Sequence, residues 1–175
     1  MVRDEEISRL ISYVKGLGLT VTFCTSKEED DSAAWYLDNT GIMINKQRNK
    51  SKIDTVLTLI HEIGHAKHNL WEKNREIDPT LENAIDHVDK AEELEQDSKK
   101  KQRKVLLNHE IGGTKYWNEI YHETNMKFPM WKLDLAKEYD VWQYEVFYET
   151  GSYPKYKERR KKHKELTKKY RKANV

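Results

Sequence analysis

From Ser51 to Ala66 the chain places Ile53, Val56, Leu57, Leu59, Ile60, Ile63 and Ala66 over much of the circumference of a helix. A helix apolar over so wide an arc is buried, and the rest of the fold must be built around it. The constraint is strong because 35% of the 175 residues are charged, 37% are hydrophobic and the mean hydropathy is −0.99. Such a chain stands near the polar limit of sequences that fold. Its core must draw on five Trp, ten Tyr and three Phe, each ring able to remove about 150–250 Å² from water. Ser51 suits the N-cap of the buried helix, with Asp54 three residues on.

Around that helix the pattern changes several times. Ile7, Leu10, Ile11, Val14 and Leu17 follow the acidic start Asp4-Glu5-Glu6 and predict a short amphipathic helix stopped by Gly16 and Gly18. Leu19 to Phe23 alternates, and Ala34 to Leu37 and Ile42 to Asn45 flank Asp38-Asn39-Thr40-Gly41, which predicts three short strands, the last two a hairpin. Residues 72–130 are highly charged, with helices predicted near Thr80 to Gln96 and Lys99 to His109, and read as an insertion. Leu133 to Tyr148 is helical again and is closed by Gly151 and Pro154. The expectation is an α+β fold, mostly helical with a small three-stranded antiparallel sheet. Residues 1–154 would form one domain carrying the insertion at about 72–130, and 155–175 a basic helix or tail anchored by Tyr156, His163, Leu166 and Tyr170.

Several function classes drop out. No run approaches the roughly 18 apolar residues of a membrane span, and the N-terminus lacks a signal-peptide pattern, so a cytoplasmic protein with no membrane partner is expected. The single cysteine, Cys24, excludes an internal disulfide framework and a multi-cysteine zinc site; it reads as a small core residue. Any metal must be held by His and carboxylate. Net charge is only +2, yet Lys155 to Lys172 carries eleven basic residues against Glu158 and Glu165, leaving 21 basic and 28 acidic residues elsewhere. The basic end invites contact with nucleic acid or with an acidic protein.

Within the apolar helix stands His61-Glu62-Ile63-Gly64-His65. Residues i and i+4 share a helix face, so both imidazoles can address one ion while Glu62 flanks the open position. That is the arrangement of a zinc hydrolase, in which Zn²⁺ lowers the pKa of a water and Glu62 acts as general base. His68 lies three residues past His65 and suits a supporting role better than ligation. His109, His122, Tyr121 and Tyr144 are possible donors to an oxyanion. A faint echo of the motif occurs once, at His109-Glu110-Ile111-Gly112-Gly113, where Gly stands in place of the second His.

Over about residues 5–70, and again near 131–150, the order of elements and the run Thr55-Val56-Leu57-Thr58-Leu59-Ile60-His61-Glu62-Ile63-Gly64-His65 resemble the ImmA/IrrE-type, zincin-like metallopeptidases of bacteria, phages and integrative elements. The resemblance implies a third ligand on a following helix, in an E-x-E-A-like motif. Glu138-Tyr139-Asp140-Val141-Trp142 matches it in outline and puts Glu138 at the ligand position; Asp140, Glu93 and Glu95 are the other carboxylates that fit. It further implies a zinc-dependent metalloendopeptidase acting on a protein or peptide. The alternative is a catalytically silent zincin-like module whose basic end contacts nucleic acid or an acidic protein.

Overall fold

The structure, a computed structural model, describes residues 4–25, 33–35, 40–72, 81, 84 and 96–173. The protein is mostly helical with one small sheet. Two compact units divide the chain: Met1–Ile77 with Gly112–Phe128, and Asp78–Ile111 with Pro129–Val175. Among the described residues no helix is long and apolar enough to cross a membrane.

The first unit opens with α1 (Asp4–Gly16), whose acidic first turn and Lys15 in the last turn suit the helix dipole. It buries Leu10 and Val14. Three strands follow, β1 (Thr20–Cys24), β2 (Ala33–Trp35) and β3 (Gly41–Asn45), in the order β1-β3-β2. β2 pairs antiparallel with β3, as the hairpin reading expects, but β1 pairs parallel with β3, Thr20 opposite Gly41 and Cys24 opposite Asn45. The sheet is therefore mixed, which corrects the expectation of three antiparallel strands. β3, the strand with Ile42 and Ile44 fully buried on one face, takes the central place. With β2 beside it on one side, β1 takes the other edge and pairs parallel with β3.

The buried helix is α2 (Lys52–Glu72). Ser51 caps it as expected: the Asp54 backbone N–H donates to Ser51 Oγ at 3.2 Å, and the Ser51 N–H donates to Asp54 Oδ2 at 3.1 Å, a reciprocal capping box. Asn49 ties the cap to the sheet, giving a hydrogen bond from Nδ2 to the Asn45 carbonyl and accepting one from Thr58 Oγ1 at 2.8 Å. Val56, Leu59, Ile60, Ile63 and Ala66 are fully buried, and Glu62, His65, Lys67, His68 and Asn69 nearly so. α2 contacts α1, β2, β3 and the short helix α4 (Trp117–Glu123). Arg9 of α1 holds the end of α4 by donating to the carbonyls of Thr124 and Asn125, and Lys67 Nζ donates to Tyr13 Oη and Glu119. Residues 112–128, placed by their charge in an insertion, belong to this unit through buried Trp117, Ile120, Met126 and Phe128.

The second unit contains most of α3 (Gln96–Thr114), α5 (Met130–Thr150) and α6 (Tyr156–Ala173). The boundary between residues 111 and 112 falls inside the continuous helix α3. Gly151 ends α5 in the left-handed conformation, φ 76°, with its N–H bonded to the Phe147 carbonyl, the helix stop its sequence predicts. α6 packs on α5 and buries Leu166 completely, while Tyr156, expected as an anchor, is 72% exposed. The helix predicted near Thr80 to Gln96 lies outside the described residues except for Leu81 and Ala84, both buried.

Candidate metal centre

His61 and His65 stand one turn apart on α2, and their Nε2 atoms approach to 3.1 Å. The rings meet edge to face, centroids 4.6 Å apart at 76°. Trp117 sets the outer ring, its indole edge-on to His61 at 5.6 Å. The third donor comes from α3: one ligand atom each of His61, His65 and Glu110 lie within 4.8 Å of one another. His65 is 7% exposed and Glu110 2%. Two imidazoles and a carboxylate so disposed can hold a metal ion. Glu62, whose side chain is 10% exposed, brings Oε1 to 3.9 Å from His61 Nε2, beside the donors without being one of them.

Glycine makes the arrangement possible. A Cβ at Gly64 would lie 2.6 Å from the Gly113 carbonyl oxygen and 2.9 Å from Trp117 Nε1. One at Gly113 would lie 2.8 Å from His65 Nδ1, and one at Gly112 would collide with the His68 ring. The rings of His65 and His68 thus occupy the room that side chains on α3 would need. The segment 109–113 repeats the start of the 61–65 motif, and both segments use their glycines for this approach.

Glu138, expected as the third ligand, is engaged elsewhere. Lys169 Nζ donates to its Oε2 at 2.5 Å and Tyr170 Oη at 2.7 Å, joining α5 to α6. The Lys169 ammonium holds the Glu138 carboxyl below the usual carboxylate range, with Tyr170 adding to the effect. Burial pushes the Tyr170 hydroxyl up to about 12, and the Glu138 carboxylate adds to that. The carboxylate grouped with His61 and His65 is Glu110, whereas Glu138 is engaged by Lys169 and Tyr170. Asp140 is half-buried on the same helix as Glu138, while Glu93 and Glu95 lie outside the described residues.

Three of the suggested oxyanion donors make other contacts. Tyr121 donates to the Phe128 carbonyl, His122 is exposed with its ring edge-on to Tyr121, and Tyr144 meets Tyr153 edge to face. Cys24 is half-buried in β1 with Sγ 3.2 Å from Met43 Sδ, consistent with a packing role. His68 is 8% exposed and packed on Gly112, so it supports the helix pair from inside. Glu110 is the member of this group that the sequence reading does not single out, although it stands in the repeated His-Glu-Ile-Gly. Comparison with protein-family models, with curated proteins and with solved structures returns no match to this chain.

Proposed function

We propose that the protein is a zinc-dependent peptide-bond hydrolase of the zincin type, with His61, His65 and Glu110 as the metal-holding residues and Glu62 as general base. The observation that carries this reading is the convergence of three buried or half-buried donors within 4.8 Å of one another. The donor set fits the ion: with Zn–N bonds of about 2.0–2.1 Å and tetrahedral angles, two imidazole nitrogens stand about 3.4 Å apart, against 3.1 Å between His61 and His65. Zinc in such a set supplies a Lewis acid that makes water acidic near neutral pH.

The remaining chemistry belongs to the chain. Glu62 Oε1, 3.9 Å from His61 Nε2, is placed to accept a proton from the attacking water and to return it to the leaving amine. Trp117 fixes the His61 ring, and the Gly64–Gly113 approach fixes the position of His65 against α3. The near-complete burial of Glu62, His65 and Glu110 limits water around these groups and strengthens the interactions among them. The resemblance of residues 5–70 to ImmA/IrrE-type metallopeptidases supports a protein or peptide as substrate, and with it a phage or mobile-element setting. The test is cleavage of an unfolded protein by zinc-loaded parent and Glu62→Gln. The variant should keep its zinc and lose activity by about 10²–10⁴-fold; equal cleavage by both would reject Glu62 as the base.

A further inference from the structure

We propose that the outward face of α6 is a docking surface for duplex nucleic acid, held through its phosphates. The argument starts from helical spacing. Lys157, Arg160, Lys161, Lys164, Lys168, Arg171 and Lys172 follow one another at steps of three, one, three, four, three and one, so all seven fall on one side of the helix. Each is exposed. The opposite side carries Leu166, fully buried against the unit that contains α5, and Tyr170, bonded to Glu138. The cations are therefore mounted on a helix packed against α5.

The dimensions and chemistry of this face favour a duplex. From Lys157 to Lys172 the helix advances about 22 Å at 1.5 Å per residue, the length of roughly six base-pair steps at 3.4 Å each. Two shallow concavities follow one another along it. Tyr139 of α5, Tyr156, Arg159, Arg160, His163 and Lys164 line the first, on the flank of α6 toward α5, and His163, Lys164, Thr167, Lys168, Arg171 and Lys172 the second. Acids flank the stripe at Glu158, which binds the Lys155 N–H, and at Glu165, which pairs with Lys162. An interfacial membrane helix needs a free apolar face as well as cations, and here that face is spent on the protein core. The exposed Tyr156 stands at the margin of the stripe, where its hydroxyl can donate to a phosphate oxygen.

The experiment uses the full chain and a fluorescently labelled 20-base-pair duplex of arbitrary sequence, titrated by anisotropy at several salt concentrations. Binding at 50 mM salt that weakens with a log–log slope of about −4 to −6 is expected, since each phosphate contact contributes about −0.9. Neutralising Lys157, Lys164 and Lys168 together to Gln should lower affinity at least tenfold and flatten the slope by about 2 to 3. The same three changed to Arg should bind like the parent, and a control with Lys15, Lys46 and Lys50 changed to Gln should bind within about twofold of it. Circular dichroism confirms folding of each variant. The proposal is overturned if the parent does not bind the duplex at 50 mM salt, or if both Gln triples lose affinity equally. It is also overturned if phosphatidylserine vesicles or polyglutamate are bound as tightly as the duplex.

Discussion

Gly64 on α2 and Gly113 on α3 meet so closely that a Cβ on the first would sit 2.6 Å from the carbonyl oxygen of the second. The contact sets how closely the end of α3 can approach α2, and with it the room left for the His65 ring.

Gly113→Ala tests that relationship. Its added methyl comes 2.8 Å from His65 Nδ1, so the ring must shift or the helices part. Overpacking of this kind costs about 1–3 kcal/mol, and displacing the orientation of a ligand lowers metal affinity by about 10–100-fold. Thermal denaturation and competition with a zinc chelator measure the two effects separately. Parent-like values for both would mean that the helix contact does not position His65.

Glu110→Ala and Glu138→Ala should behave differently. Elemental mass spectrometry is expected to find near one zinc per chain in the parent and in Glu138→Ala, and little in Glu110→Ala. Loss of zinc in Glu138→Ala alone would return the third ligand to α5. The Glu138–Lys169 pair is about a third exposed on the carboxylate side and 57% on the lysine side, so breaking it costs about 0.2–1 kcal/mol.

The same pair sets a pH dependence with a definite sign. The Glu138 carboxyl is lowered in the fold, chiefly by Lys169, so its contribution is present above the unfolded carboxylate value of about 4.3 and fades as pH falls through the lower folded value. Tyr170 is raised to about 12, chiefly by burial. Its contribution is therefore complete below the unfolded value of about 10 and fades as pH rises toward 12. Urea midpoints of the parent and Glu138→Gln should differ at pH 7 and converge toward pH 3. Those of the parent and Tyr170→Phe should converge above pH 10.

Ser51→Ala removes half of the capping box on α2. A loss of about 0.5–2 kcal/mol is expected, read by urea denaturation, with zinc content unchanged because the cap lies ten residues before His61. A fall in zinc content would show that the frame of the whole helix is set at its start.

His61 and His65 were legible in the sequence because helical spacing is local: four residues apart is one turn, whatever surrounds it. The capping box and the Gly151 stop were legible for the same reason. Glu110 was not, because it comes 45 residues after His65, at the end of a helix whose start is a run of lysines and whose charge resembles that of a solvated face. Only the glycines that admit the close approach, and the repeated His-Glu-Ile-Gly, marked it out. Strand direction escaped notice because alternation records which face of a strand is buried, while its partner is chosen by the competition for the centre of the sheet. Tyr156 was mistaken for an anchor because periodicity names a face but not the depth to which each member of it sinks.

Two of the three donors travel together and the third arrives 45 residues later, so an ion held by all three ties a long loop shut. In the unfolded chain, closing a loop of that length by a covalent cross-link removes conformational entropy worth about 4 kcal/mol. A metal held at His61, His65 and Glu110 would act on the fold as a removable staple of this kind, released by a chelator with every covalent bond intact.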